Sequence, residues 1–160
     1  MKEVNIETKL QVYNSMLDLP NNIQKLMHSA IEARDKAYAP YSKFKVGAAI
    51  LLDNKNVVTG NNQENASYPS GLCAERTAIY YAGAKYPEAK ILIMALTAAS
   101  ENKITDTPIP PCGACRQAIM EYETKQEQPI EIYFMGVKGK VVKSYSLANL
   151  LPLGFDRSFL

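Results

Sequence analysis

Between Asn21 and Tyr38 the apolar side chains Ile23, Leu26, Met27, Ala30, Ile31 and Ala37 recur at helical spacing among polar neighbours. That pattern predicts a helix with one buried face, closed by Pro40. Lys45–Asp53 (KVGAAILLD) then reads as a strand, DNKN as a turn, and VVTG as the hairpin partner. Cys73–Ala84 is helical in pattern, with Ala74, Thr77, Ala78 and Tyr81 as its expected inward face. Lys90–Ala98 is almost continuously apolar over strand length, which predicts a central strand covered on both sides. A loop containing Pro108, Pro110 and Pro111 leads into a second short helix, Cys112–Tyr122. Ile130–Met135 and Lys140–Tyr145 are expected strands around the Gly136–Gly139 turn, and Leu147–Leu151 a short closing helix.

The resulting order, α-β-β-α-β-α-β-β-α, predicts one mixed five-stranded sheet with helices on its faces, a three-layer α/β/α sandwich. Residues 1–20 carry only a weak pattern and are expected to be a helical or loose amino-terminal extension to a single domain spanning 21–160. There are no internal repeats and no low-complexity linker. Both cysteine-bearing segments fall at strand-to-helix junctions, where open α/β sheets usually bind ligands.

Composition narrows the possible partners. A net charge of +2, with lysines and arginines scattered through the chain, gives no basic footprint for nucleic acid. The apolar run ILIMALTAA is too short to span a membrane. The first residues lack the apolar core of a secretory signal, so a reducing, cytoplasmic setting is expected. In that setting cysteines point to metal binding or catalysis before disulfides.

The chain has three cysteines, Cys73, Cys112 and Cys115, all in polar segments that open helices. As small buried hydrophobes they would not be expected to share that placement. A redox pair at Cys112-Gly113-Ala114-Cys115 would leave Cys73 without a role. A zinc site uses all three. Structural zinc takes four protein ligands, whereas catalytic zinc takes three and keeps a position for water. The single histidine, His28, lies in the first helix, and nothing in the sequence places it near the cysteines. Three thiolates leave such a centre net negative, and the two helix amino termini would offset part of that charge. Arg76 would offset more by hydrogen-bonding a thiolate. Glu75, two residues after Cys73, is placed to exchange protons with the bound water as a general acid/base.

CAERTA (73–78) and PCGACRQ (111–117) resemble the two zinc motifs of the small, homotetrameric cytidine deaminases. AYAPYSKFKVGAAI, GNNQENASYPSG and LANLLPLGF resemble further family segments in the same order, so the likeness runs from about Asn21 to the end. The resemblance implies one Zn²⁺ per chain, held by Cys73, Cys112 and Cys115. It implies hydrolytic deamination of cytidine and deoxycytidine to uridine and deoxyuridine, a step of pyrimidine salvage, with Glu75 as proton carrier. By the same resemblance Asn62 and Glu64 hold the ribose hydroxyls, Phe44 stacks on the base, and the Ala74 backbone hydrogen-bonds the pyrimidine. Ala66, Tyr68 and Phe155 match positions that line the site, some of them from a neighbouring subunit of a homotetramer.

Gln63 stands where the family usually has Ile or Val, which predicts altered packing beneath the ribose loop. Three other functions use some of the same features. One is deamination of another aminopyrimidine such as blasticidin S, and another is editing of polynucleotides. The third is a non-catalytic, zinc-stabilised interaction module, for which Glu75 would be dispensable.

Overall fold

Pro20 precedes the first helix, α1 (Asn21–Asp35), which buries Ile23, Leu26, Met27, Ala30 and Ala33 along one stripe, as its spacing requires. The computed structural model describes residues 1–160. The sheet strands are β1 (Leu10–Tyr13), β2 (Phe44–Leu52), β3 (Val57–Asn61), β4 (Ile91–Ser100), β5 (Glu131–Met135) and β6 (Val141–Ser144). Two further helices, α2 (Ala74–Lys85) and α3 (Gly113–Gln126), complete the α/β fold.

The strand order is β1-β6-β5-β4-β2-β3, with β4 and β5 parallel and every other pair antiparallel. Strand alternation sorts the core into two layers. Ala49, Ala95, Tyr133, Met135 and Val141 meet Leu19 and the α1 stripe. Ala48, Ile50, Leu52, Met94, Leu96, Ile132 and Phe134 meet α2 and α3 on the opposite face. The expected three-layer sandwich, with β4 central, is therefore present.

The sheet has six strands rather than five. The added strand, β1, comes from the segment expected to be helical or loose; it pairs antiparallel with β6 from Leu10↔Ser144 to Tyr13↔Val141. Tyr145 reinforces the pairing by donating from its hydroxyl to Gln11 Oε1 at 3.0 Å. Four residues are too few to display an alternation, and the partner strand lies at the other end of the chain. By pairing there, β1 covers the backbone edge that β6 would otherwise expose.

Two local expectations are also corrected. Residues 147–151 form turns and no helix. The Leu147 and Ala148 amides donate to the Glu123 carboxylate, as the first amides of a helix would, but Pro152 stops the segment after a single turn. The buried face of α2 is Ala74, Glu75, Ala78, Ile79 and Ala82; Thr77 is half-buried and Tyr81 exposed. The rotation follows from close packing of α2 on β3. A Cβ at Gly60 would sit 2.6 Å from the Ala78 nitrogen and 2.7 Å from the Ala74 oxygen, so only glycine lets the helix start lie this near the sheet.

Strands β3 and β4 are both antiparallel to β2 and so point the same way. The segments leaving them emerge at one end of the sheet, and those segments lead into α2 and α3.

Candidate metal centre and active site

Cys73 is the N-cap of α2 and Cys112 the N-cap of α3, both in extended backbone conformation, and Cys115 lies in the first turn of α3. This placement brings the three sulfurs within 4.8 Å of one another. The Cys73 and Cys112 sulfurs are 4.0 Å apart. Tetrahedral zinc with sulfurs at ~2.3 Å requires sulfur–sulfur separations of ~3.8 Å, so the donor set fits that ion. Cys115 is buried, Cys73 half-buried and Cys112 exposed, leaving one side of the cluster open toward solvent. His28 is exposed on α1, in the opposite layer, and takes no part.

The thiols are electrostatically unequal. Cys73 is held down at about 5 by the adjacent Cys115 thiol and then by Arg76, against the opposing effect of burial. The Cys115 thiol is pushed up by its partnership with Cys73 and by burial. Arg76 Nη2 donates to Cys73 Sγ at 3.5 Å, and that contact raises the guanidinium's own pKa. The cation expected to balance thiolate charge is thus in contact with it.

Glu75 is only 5 % exposed, although it is ionisable and lies in the first turn of α2. Burial raises its carboxyl above the ordinary value, and the Cys73 charge adds to that effect. Its own backbone amide, the Cys115 thiol and Arg76 pull the other way. A buried carboxyl with a raised pKa, beside a metal-type donor set, is suited to taking up and releasing protons.

A cleft of about 430 Å³ opens beside Cys73 and Arg76, with Tyr41, Asn62, Glu64 and Tyr68 in its walls. Glu64 Oε2 accepts from the Tyr41 and Ser42 amides at 2.9 and 3.2 Å. Its carboxyl is lowered by the Ser42 hydroxyl first and then by those amides. Asn62 braces the start of β2: Oδ1 accepts from Val46 N at 2.8 Å and Nδ2 donates to Phe44 O at 2.9 Å. Phe44 is half-buried beside this brace, and Ala74 is buried at the first position of α2.

The remaining candidates lie farther out. Ala66 is exposed on the loop between Asn62 and Gly71. Phe155 is exposed and stacks on Phe159 with ring centroids 5.6 Å apart, and it is not among the cleft walls. Gln63 has an exposed side chain that donates to Asn61 Oδ1, while its backbone pairs with Leu72 at 2.9 Å in both directions. Its side chain therefore does not pack beneath the loop in this chain.

Tyr41 and Ser42 were not singled out individually from the sequence, yet they shape the cleft mouth. Tyr41 packs against Tyr68 at a centroid distance of 6.2 Å. Their sequence signal was their place in AYAPYSKFKVGAAI, a segment that resembles the family without marking either residue. A second cavity of about 210 Å³, at the far ends of α2 and α3, contains none of the predicted site residues.

Three thiols and a buried carboxyl at two helix starts define a metal-centred site of hydrolytic type. The family model for the cytidine and deoxycytidylate deaminase zinc-binding region matches residues 20–128. The cytidine deaminase of Halalkalibacterium halodurans is 40 % identical over 135 residues, covering 82 % of this chain and 92 % of that protein. The crystal structure of cytidine deaminase from Burkholderia pseudomallei superposes with a TM-score of 0.71 at 37 % identity, over 86 % of this chain and 100 % of that one. That of Mycobacterium tuberculosis gives a TM-score of 0.64 at 33 % identity, covering 86 % and 98 %. The chain belongs to the cytidine and deoxycytidylate deaminase zinc-binding family, and its cofactor is zinc. No helix is long and apolar enough to cross a membrane.

Proposed function

We propose that this chain is a cytidine deaminase that converts cytidine and deoxycytidine, with water, to uridine and deoxyuridine and ammonia, as a cytoplasmic step of pyrimidine salvage. The observation that carries the proposal is the placement of buried Glu75 in the helix turn that Cys73 caps, with the three cysteine sulfurs clustered and a cleft of about 430 Å³ opening beside Cys73. Cys73, Cys112 and Cys115 would hold one zinc per chain. When bound, zinc acidifies water and stabilises negative charge on oxygen.

Glu75 takes the proton of the attacking water and delivers it to N3 of the pyrimidine as the new C4–O bond forms. It then takes the remaining proton from the new C4 hydroxyl and passes it to the exocyclic amine; the C4–N bond breaks as the C4 carbonyl forms, and ammonia leaves. Glu75 ends in its starting state. Arg76, on the Cys73 sulfur, limits the negative charge that three thiolates would place on the centre.

In the cleft, Glu64 commits Oε2 to backbone amides and presents Oε1 to a ribose hydroxyl. Asn62 contributes to ribose binding while its amide keeps Phe44 in place for stacking on the base. The Ala74 amide, at the first position of α2, has no intrahelical acceptor and is available to the pyrimidine. Ala66, Tyr68 and Phe155 complete the enclosure. Ala66 and Phe155 stand on the outer surface, and in a homotetramer they would be open to the sites of neighbouring chains.

Steady-state assays with cytidine, deoxycytidine, blasticidin S and single-stranded nucleic acid test the assignment. Cytidine and deoxycytidine are the expected substrates. Preferential turnover of blasticidin S or of a polynucleotide would overturn it, as would zinc binding with no turnover of any of the four.

A further inference from the structure

The helix that begins after Cys112 also grips the end of the chain. Arg116 donates from Nε to the Pro111 carbonyl at 2.8 Å and from Nη1 to the Leu150 carbonyl at 2.7 Å. Neither acceptor belongs to α3. Next to it, Gln117 Nε2 donates to the Phe155 carbonyl at 2.8 Å. Farther along the helix, Glu123 accepts from the amides of Leu147 and Ala148, at 2.8 and 3.2 Å. Side chains of α3 therefore hold the segment from Leu147 to Phe155 at three points.

The Pro111 carbonyl has particular leverage. It lies in the same rigid peptide plane as the Cys112 nitrogen. The proline ring fixes φ at Pro111, so ψ is the remaining freedom in how the chain enters Cys112. Arg116 takes up that freedom with a charged donor, stronger than a neutral one. Cys112 is the exposed cysteine of the three, with the least packing of its own to hold it. A cation this close to a helix amino terminus works against the helix dipole, so general helix stability does not account for the residue.

We propose that Arg116 is a positioning residue of the metal centre. It holds the peptide plane that carries Cys112 and ties that plane to the C-terminal segment through Leu150. The proposal rests on Cys112 being a zinc ligand. It assigns Arg116 a task distinct from that of Arg76, which touches a sulfur directly.

The test uses the zinc-loaded full chain and measures zinc release to a colorimetric chelator, together with the ligand-field absorption of the cobalt(II)-substituted protein at saturating cobalt. Arg116→Ala should release zinc about 10–100-fold faster, the usual loss when an outer partner of a metal ligand is removed. Its cobalt spectrum should differ from wild type even at saturation, because Cys112 is no longer held in place. Arg116→Lys, which keeps the charge but cannot span both carbonyls, should fall between the two. Gln117→Ala frees Phe155 but leaves the Pro111 contact, and should release zinc at the wild-type rate.

Wild-type release and an unchanged cobalt spectrum in Arg116→Ala would overturn the proposal, since a residue that only props the fold would give that spectrum. If Arg116→Ala does not fold, Arg116→Lys decides by the same two readouts. Failure of the underlying reading looks different: Cys112→Ser would then retain zinc as firmly as wild type.

Discussion

The sulfurs of Cys73 and Cys112 lie 4.0 Å apart although 39 positions separate the residues in sequence. Each is the cap of a helix, and the helices start side by side because β3 and β4 run in the same direction. The sheet thus brings together ligands that neither helix supplies alone.

Cys73→Ala is expected to lose zinc. Only Cys112 and Cys115 remain, and two thiolates from one helix turn do not form a stable centre. Metal analysis after gel filtration checks this. One equivalent of zinc per chain in the variant would contradict the assignment of Cys73.

Glu75→Gln keeps the shape of the buried side chain and removes its capacity to carry a proton. The variant should fold and retain zinc, yet lose ~10²–10⁴-fold in turnover, the range typical of general acid/base catalysis. Near-normal turnover with full zinc would exclude Glu75 as the proton carrier.

Arg76→Ala removes the cation 3.5 Å from Cys73 Sγ. Zinc should stay bound, but the more negative thiolate set should acidify water less well and slow the reaction. An unchanged rate at saturating cytidine would show that the guanidinium does not tune the centre.

Gly60→Ala is expected to be destabilising by about 1–3 kcal/mol or more, because the added methyl must push the α2 backbone away from β3. Thermal unfolding of the zinc-loaded variant reads this directly. An unaltered melting temperature would mean that the helix start shifts freely.

Zinc chemistry was legible in the sequence because its determinants are local: CAER and PCGAC each place their groups within one helical turn. The layers were legible from the order of the elements; in the structure Ala48, Ile50 and Leu52 face one layer and Ala49 the other across β2. Strand β1 was hidden because its four residues acquire meaning only against β6, with Gln11 and Tyr145 meeting across 134 positions. The face of α2 was misjudged at Tyr81, since Gly60 rather than the helix's own pattern sets its rotation. The supposed helix at 147–151 failed for want of length: it is one turn, with Leu151 N donating to the Leu147 carbonyl, before Pro152 ends it.

The central claim is that this chain is a zinc-dependent cytidine deaminase. The most direct measurement follows the ultraviolet absorbance of cytidine during incubation with the purified protein, before chelation, after zinc is stripped, and after it is restored. The expected result is conversion to uridine that stops on stripping and returns with stoichiometric zinc. Cytidine left unchanged by the fully zinc-loaded protein, or consumed equally well without the metal, would contradict the claim.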